Sequence, residues 1–549
     1  MAPTDIVEPP EQDLADPGEP AVSRMPPRWL LGAALVLLGA GAILVSTAYD
    51  RGPAASRLGA NAPVNAGAGN QLDISAHNSP SLVRSPVDAK LLVVANRIET
   101  PRYSCALHVS RDAGASWSQT PIPLPAGEEP KCYAPDVAFG ADGTLYMTFV
   151  TLHGTGNVPH AVWLTSSQDG GRTLGTPTKV LPELAFQVRL VADPAKAGRL
   201  YVTWLQASDV GLFRFSETGN PIRAIRSDDG GRTWTRRTRV SSPARGRVVA
   251  PVPALGPGGD LYVLYLDLGD DRLDYDGVHQ GRGGPPYDGR FSLVLARSRD
   301  QAATWQESVV DTKIVPTQRF IAFIPPLPAL AVDQHSGRLY AAFEDGRDGD
   351  PDVMLWTLGP RDARWSGPRR VNDTPQGDGR AQYRPQLSVG PGGRLDVVYY
   401  DRRRDPRNRR NEVSLQSSFD DGRSFSPSIA LSDRSFDSQI GQGYERGLPE
   451  FGNRLASLST KDRMLAVWTD TRNSVQVSGK QDLMHAIAVF SDPPRLGAFP
   501  RALLRYGGLL LLLLGLALVV PAVAAAHPLT RARAGLPAVA AAVRRRRGS

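Results

Sequence analysis

The chain has 549 residues, of which 41% are hydrophobic and 21% charged, so it is neither a short disulfide-stapled scaffold nor a disordered polyelectrolyte. Its 54 glycines and 47 prolines interrupt helices too often for a helical enzyme and predict many turns joining short strands. The formal net charge of +8 gathers in the C-terminal tail, where Arg531, Arg533 and the run Arg544 to Arg547 stand without an acid, and the long middle is too dilute in charge for a nucleic-acid groove.

In chain order, residues 1–28 are polar and acid-rich and read as a disordered leader. Residues 29–49 carry no charge and are long enough, at 1.5 Å per helical residue, to cross a hydrocarbon core of about 30 Å. The long leader and the unconvincing cleavage site Ser46-Thr47-Ala48 favour an uncleaved anchor over a signal peptide. After a linker at 50–69, a large β domain is expected over 70–492, then a second linker at 493–505, a second apolar span at 506–526 and a basic tail at 527–549. Arg24 and Arg28 before the first span, and the arginines after the second, predict a two-pass membrane protein with both termini cytoplasmic and the β domain outside. In that compartment Cys105 and Cys132 either form a disulfide or remain two buried thiols.

The middle repeats one pattern, a small apolar stretch, a Gly-bearing turn and then Leu-Tyr followed by alternating residues. Clear copies lie at 137–146, 190–201, 255–262, 330–340 and 387–395, with weaker ones at 82–95 and 455–468. Each reads as a hairpin, and together they count seven units. The seventh has only three strands, and a segment near Leu72 to Ser75 is expected to supply its outer strand and close the ring.

A second motif follows five of the hairpins: Ser110-x-Asp112-x-Gly114-x-Ser116-Trp117, Ser167-x-Asp169-x-Gly171-x-Thr173-Leu174, Ser227-x-Asp229-x-Gly231-x-Thr233-Trp234, Ser298-x-Asp300-x-Ala302-x-Thr304-Trp305 and Ser418-x-Asp420-x-Gly422-x-Ser424-Phe425. In the fifth unit only Trp365 survives. Asp and Ser bond turn amides, Gly permits a positive φ, and the large apolar residue staples the turn to the sheet.

By these residues the chain resembles the Asp-box (BNR-repeat), sialidase-like β-propellers over roughly 70–492. The resemblance implies an all-β propeller, seven-bladed by the unit count although the sialidase catalytic domain itself has six blades. It also implies a glycan or other carboxylate-bearing sugar as partner, and an exo-α-sialidase-type glycoside hydrolase if the protein is an enzyme. A non-catalytic module binding glycan or protein is the alternative.

The motif turns lie on one face of such a propeller, so chemistry is sought on the other. There the second strands end at Asn96, Thr151, Gln206, Asp267, Asp345, Asp401 and Asp470, three of them in Asp345-x-Arg347, Asp401-x-Arg403 and Asp470-x-Arg472. These pairs are either anion-binding groups or salt-bridged turns. Asp136, Arg189, Arg384 and Arg454 stand at inner-strand starts. The resemblance implies three arginines on a substrate carboxylate, for which Arg189, Arg384 and Arg454 are the positional candidates. The family's Arg-Ile-Pro signature is missing, with Asn96 to Glu99 the nearest string. It further implies a tyrosine nucleophile paired with a glutamate, expected at Tyr444 with Glu445 or Glu344, and a general acid, expected at Asp136. No cofactor is required by this chemistry. A calcium site in the acidic run Asp267, Asp270, Asp271, Asp274 and Asp276 is the one metal alternative, and its spacing lacks the EF-hand pattern.

Overall fold

The computed structural model describes residues 27–48, 54–70, 72–182, 184–208, 219–271, 287–317, 327–441, 451–475, 477–491 and 498–526. Residues 54–491 form one compact unit and the two terminal helices another.

The larger unit is a seven-bladed propeller, each blade an antiparallel sheet of four strands, with an extra two-residue strand, Phe436–Asp437, on the sixth. From the channel outward the first blade runs His77–Arg84, Leu92–Ile98, Ser104–Ser110 and Ser118–Thr120. The next five blades repeat that order, with inner strands Cys132–Phe139, Ala185–Ala192, Val248–Leu255, Ala329–Val332 and Gln382–Val389.

The seventh blade takes Ala456–Ser459, Arg463–Asp470 and Asp482–Ser491 from the C-terminal side and its outer strand from the N-terminal side. That outer strand is Ala54–Pro63, which pairs antiparallel with Asp482–Ser491. The expected closing segment near Leu72 to Ser75 is therefore corrected, and half of the expected 50–69 linker is this strand. Residues 72–75 form a turn in which the Asp73 side chain accepts from the Ser75 amide. Closure also makes Ala54 and Ser491 register partners, so the chain enters and leaves the propeller at one place.

The second strands show why the hairpin pattern is so apolar. Leu200–Gln206, Leu339–Asp345 and Leu395–Asp401 are buried at almost every residue, because each sheet is covered on both faces by neighbouring blades. Trp204, Trp356 and Trp468 fill the spaces between sheets. Burial at roughly 25 cal/mol per Å² of apolar surface makes these interfaces the main source of stability.

All five repeated turns share one bonding pattern. In the third blade the Ser227 hydroxyl donates to Asp229 (2.8 Å) and accepts from the Gly231 amide (2.8 Å), while Asp229 accepts from the Thr233 amide (2.9 Å). The apolar residue after each turn packs into a core cluster, and Trp305 also donates from its indole to Thr238 on the preceding blade (3.1 Å). These aspartates hold turns on the face away from the channel mouth. Cys105 and Cys132 are joined in a disulfide linking the first blade to the second.

The smaller unit comprises the helices Pro27–Ala48 and Ala498–Ala526, both long and apolar enough to cross a bilayer. They pack through glycines seven residues apart on each helix. Gly32 lies against Gly515, and Gly39 against Gly508, so the pair is antiparallel.

Candidate functional site at the channel mouth

Among the described residues, six blades carry a residue in the left-handed region at or just before the start of the inner strand: Ser79 (φ 54°), Ala134 (47°), Gln187 (51°), Ala250 (64°), Arg384 (51°) and Gly452 (78°). In five of these blades the residue sits in a register break of the inner hairpin, a β-bulge that re-aims the local side chains. Non-glycine residues adopt this conformation at a cost and accumulate where side chains must be placed precisely for function. Four of the six precede a proline, which disfavours the right-handed helical alternative: Pro80, Pro135, Pro251 and Pro385.

The bulges surround the channel. Arg189, Arg384 and Arg454, three of the arginines expected on a ligand, line one cavity of about 100 Å³, together with Pro328, Gln386 and Asn453. They are not equivalent. Arg189 donates to Asp136 (2.9 Å), and Arg454 donates to the carbonyls of Pro80 (3.0 Å) and Pro135 (2.8 Å) and lies 3.7 Å from Asp136. Arg384 is 97% buried by its 3% exposure, yet among the described residues its guanidinium makes only a long 3.4 Å contact, to the Phe451 carbonyl.

Asp136 does not suit the expected role of general acid. It accepts from the Ser81 hydroxyl and from the Leu190 amide (2.9 Å) besides the two arginines. Burial alone would raise its carboxyl, but Arg189, Arg454, Ser81 and the Leu190 amide outweigh burial and hold it below the ordinary carboxylate range. It is the anionic centre of a knot tying the seventh, first, second and third blades. Glu344 contrasts with it. Burial pushes its carboxyl up, although the Arg384 amide, the Arg384 guanidinium and the Thr317 hydroxyl oppose the shift. Of the two carboxylates, Glu344 is the one pushed up and Asp136 the one held down.

The Asp-x-Arg pairs fold as turns. Asp345, Asp401 and Asp470 each accept from the backbone amide two residues on, at 2.9, 2.9 and 2.8 Å, and pair with that residue's guanidinium. Each arginine then reaches an acid beside the preceding blade's outer strand: Arg347 reaches Asp311, Arg403 reaches Asp373 and Arg472 reaches Asp433. The six residues clamp neighbouring blades together, and none lines the channel cavity. Tyr444, Glu445, Asp274 and Asp276 lie outside the described residues. Asp267 is engaged by Arg245 (2.8 Å) and so faces a cation already.

The sequence did not announce the left-handed bulges or the Thr317 hydroxyl that donates to Glu344 (3.0 Å). The aromatic-x-Pro strings Tyr133-Ala134-Pro135 and Tyr383-Arg384-Pro385 were the available signal. A larger cavity of about 420 Å³ sits on the opposite face, lined by Gly256, Tyr262, Arg297, Gly337 and Gly359, where the fifth unit has lost its turn motif. It holds no comparable set of buried charged groups.

No protein-family profile and no curated protein match the chain. Among solved structures it is similar to a protein of unknown function from Dyadobacter fermentans, with 13% identity over 80% of this chain and 99% of that one and a TM-score of 0.44. It is also similar to a polysaccharide lyase described as an ulvan lyase, with 11% identity over 78% and 95% and a TM-score of 0.46. A sialidase from Streptococcus pneumoniae is similar at 11% identity over 65% and 68%, with a TM-score of 0.39.

Proposed function

We propose that this is a membrane-anchored, extracytoplasmic propeller that recognises a carboxylate-bearing sugar of cell-surface glycans at its channel mouth. The observation that carries the reading is the buried Arg384 guanidinium facing the same cavity as Arg189 and Arg454. Glu344 bonds the Arg384 backbone amide and not its guanidinium, so an incoming ligand carboxylate would supply the charge-assisted hydrogen bonds that this buried cation lacks. Arg189 and Arg454, which share the single Asp136 carboxylate, shape and orient the pocket. The two apolar helices and the single point at which the chain enters and leaves the propeller fit a domain tethered twice to one membrane, with both termini cytoplasmic.

Hydrolysis of an exo-α-sialidase kind is the second reading, favoured by Glu344. Burial pushes the Glu344 carboxyl up, and it sits behind the cavity-lining Arg384, so a proton released from it toward the leaving oxygen would assist cleavage of the glycosidic bond.

The test uses the full chain in detergent with N-acetylneuraminic acid, glucuronic acid and neutral glucose as probes. Saturable binding of the two acids but not of glucose is expected. Arg384→Ala should weaken it about ten- to hundredfold, the worth of a charged hydrogen bond of about 1.5–3 kcal/mol. Equal response to acid and neutral sugars, or an unaffected variant, overturns the reading. Release of fluorophore from a sialoside, abolished in Glu344→Gln, separates the enzyme from the binding module.

A further inference from the structure

Glu128, His153 and His160 come together on the channel-mouth side of the second blade, at a place the sugar site does not use. Glu128 lies in the loop entering the inner strand Cys132–Phe139. His153 ends the second strand, Leu145–His153, and His160 stands at the irregular start of the third, Val158–Ser167. One ligand atom from each residue lies within 4.8 Å of the other two. His153 Nε2 is 3.0 Å from Glu128 Oε2, and His160 Nδ1 is 3.0 Å from both carboxylate oxygens. The imidazoles stack with centroids 3.8 Å apart and planes 13° apart, so both present a ring nitrogen to one side of a single carboxylate.

Two features set this group apart from an ordinary surface ion pair. Thr151 occupies the position where three other blades carry the aspartate of Asp-x-Arg, and His153 stands where they carry the arginine. Here the clamp has been exchanged for an imidazole nitrogen donor, doubled by a second histidine on the next strand. The group is also built from behind. The Glu128 side chain is only 7% exposed and lies beside the Thr151 hydroxyl, which accepts from the Trp163 indole (3.1 Å). Glu129 accepts from the Gly154 amide (2.8 Å) and Lys131 donates to the Gly154 carbonyl (2.7 Å), pinning the loop to the hairpin. Outer partners of this kind orient metal ligands. The imidazoles, at 34% and 39% exposure, leave the solvent side open.

We propose that Glu128, His153 and His160 bind a divalent transition-metal ion of the zinc type, with the remaining coordination positions open to water or to a ligand oxygen. Two imidazoles and one carboxylate form the donor set of open zinc sites. With bonds of about 2.0–2.1 Å in tetrahedral geometry, ligand atoms stand about 3.3 Å apart, so the two 3.0 Å carboxylate–imidazole separations open by a few tenths of an ångström on binding, and the half-exposed imidazoles turn out of their stack to aim both lone pairs at one ion. Hard cations such as Ca²⁺ prefer more oxygen ligands than this group supplies.

The experiment takes the untagged full chain in detergent, stripped with a chelator, and titrates Zn²⁺ against a chromophoric competitor, with Ca²⁺ as a control. One saturable Zn²⁺ site is expected, weakened at least tenfold in His160→Gln and in Glu128→Gln. Co²⁺ in the unsubstituted protein should give the intense visible bands of a low-symmetry four- or five-coordinate ion, a readout that needs no variant to fold. The proposal is overturned by absence of a saturable site, by Zn²⁺ binding unchanged in His160→Gln, or by only the weak bands of hydrated Co²⁺.

Discussion

Glu344 accepts a hydrogen bond from the backbone amide of Arg384 at 3.0 Å, across the junction of the fifth and sixth blades. The carboxyl at the end of one blade's second strand thereby fixes the left-handed residue that opens the next blade's channel strand. It also sets a titratable group against a buried guanidinium. Burial raises the Glu344 carboxyl, and the Arg384 amide and charge, the Thr317 hydroxyl and the more distant Arg402 oppose that rise without cancelling it.

The sign of the pH effect follows. A carboxyl whose folded pKa lies above its unfolded value favours the fold while protonated, below about pH 4.5, and that contribution is lost as pH rises through the folded value. Glu344→Gln keeps the shape and an acceptor oxygen but cannot ionise. Its melting temperature relative to the unsubstituted chain should therefore rise between pH 4 and pH 8. A relative fall over that range would mean that an ionised Glu344 stabilises the fold through Arg384.

Asp136 should behave oppositely, as a structural anion. Its folded pKa is lowered, so its contribution is present above the ordinary aspartate range and is lost as pH falls through the folded value. Asp136→Ala leaves Arg189 and Arg454 without their shared carboxylate inside the channel. Breaking a buried pair in this way costs about 3–5 kcal/mol. Denaturant unfolding of Asp136→Ala checks this, and a variant as stable as the parent would return Asp136 to the catalytic candidates.

Asp352 offers a second titration, away from the channel. Burial raises it to about 6, against the Asn372 amide and Arg370 that partly hold it ionised, while Asp350 and Asp348 add to the rise. Its contribution is full below the unfolded value of 3.8 and is lost as pH climbs to about 6. Asp352→Asn should be neutral or slightly destabilising at pH 4 and stabilising at pH 7, read from paired thermal melts. A difference that does not change between those pH values would show that Asp352 is already ionised at pH 4.

Seven units and five turns were legible because they rest on local chemistry: a Gly turn before Leu-Tyr, a Ser and an Asp bonding nearby amides. The three channel arginines were legible by position. What escaped depends on distant parts of the chain. Ala54–Pro63 is rich in Ala, Gly and Asn, poor strand formers, and becomes a strand only because Asp482–Ser491 offers an open edge. Asp-x-Arg had two readings, and the decision lay with Asp311, Asp373 and Asp433, which the motif does not contain. Glu128 and the two histidines are 25 to 32 residues apart and meet only once the second blade is folded.

The terminal helices give the last prediction. A Cβ on Gly39 would sit 2.5 Å from the Gly508 carbonyl oxygen and 2.7 Å from the Leu512 amide nitrogen, and one on Gly515 would sit 2.6 Å from the Gly32 carbonyl oxygen. In hydrocarbon there is no hydrophobic drive between helices, so close backbone approach at small residues is what holds such a pair. Gly39→Leu should force the helices apart without touching the propeller, which forms a separate unit. With a protease site placed within residues 492–497, the cut parent chain should keep its C-terminal helix bound during size-exclusion chromatography in detergent. The Gly39→Leu chain should release it. Retention in both would mean that the glycine contacts do not carry the association, and release from both that the helices hold together only through the chain between them.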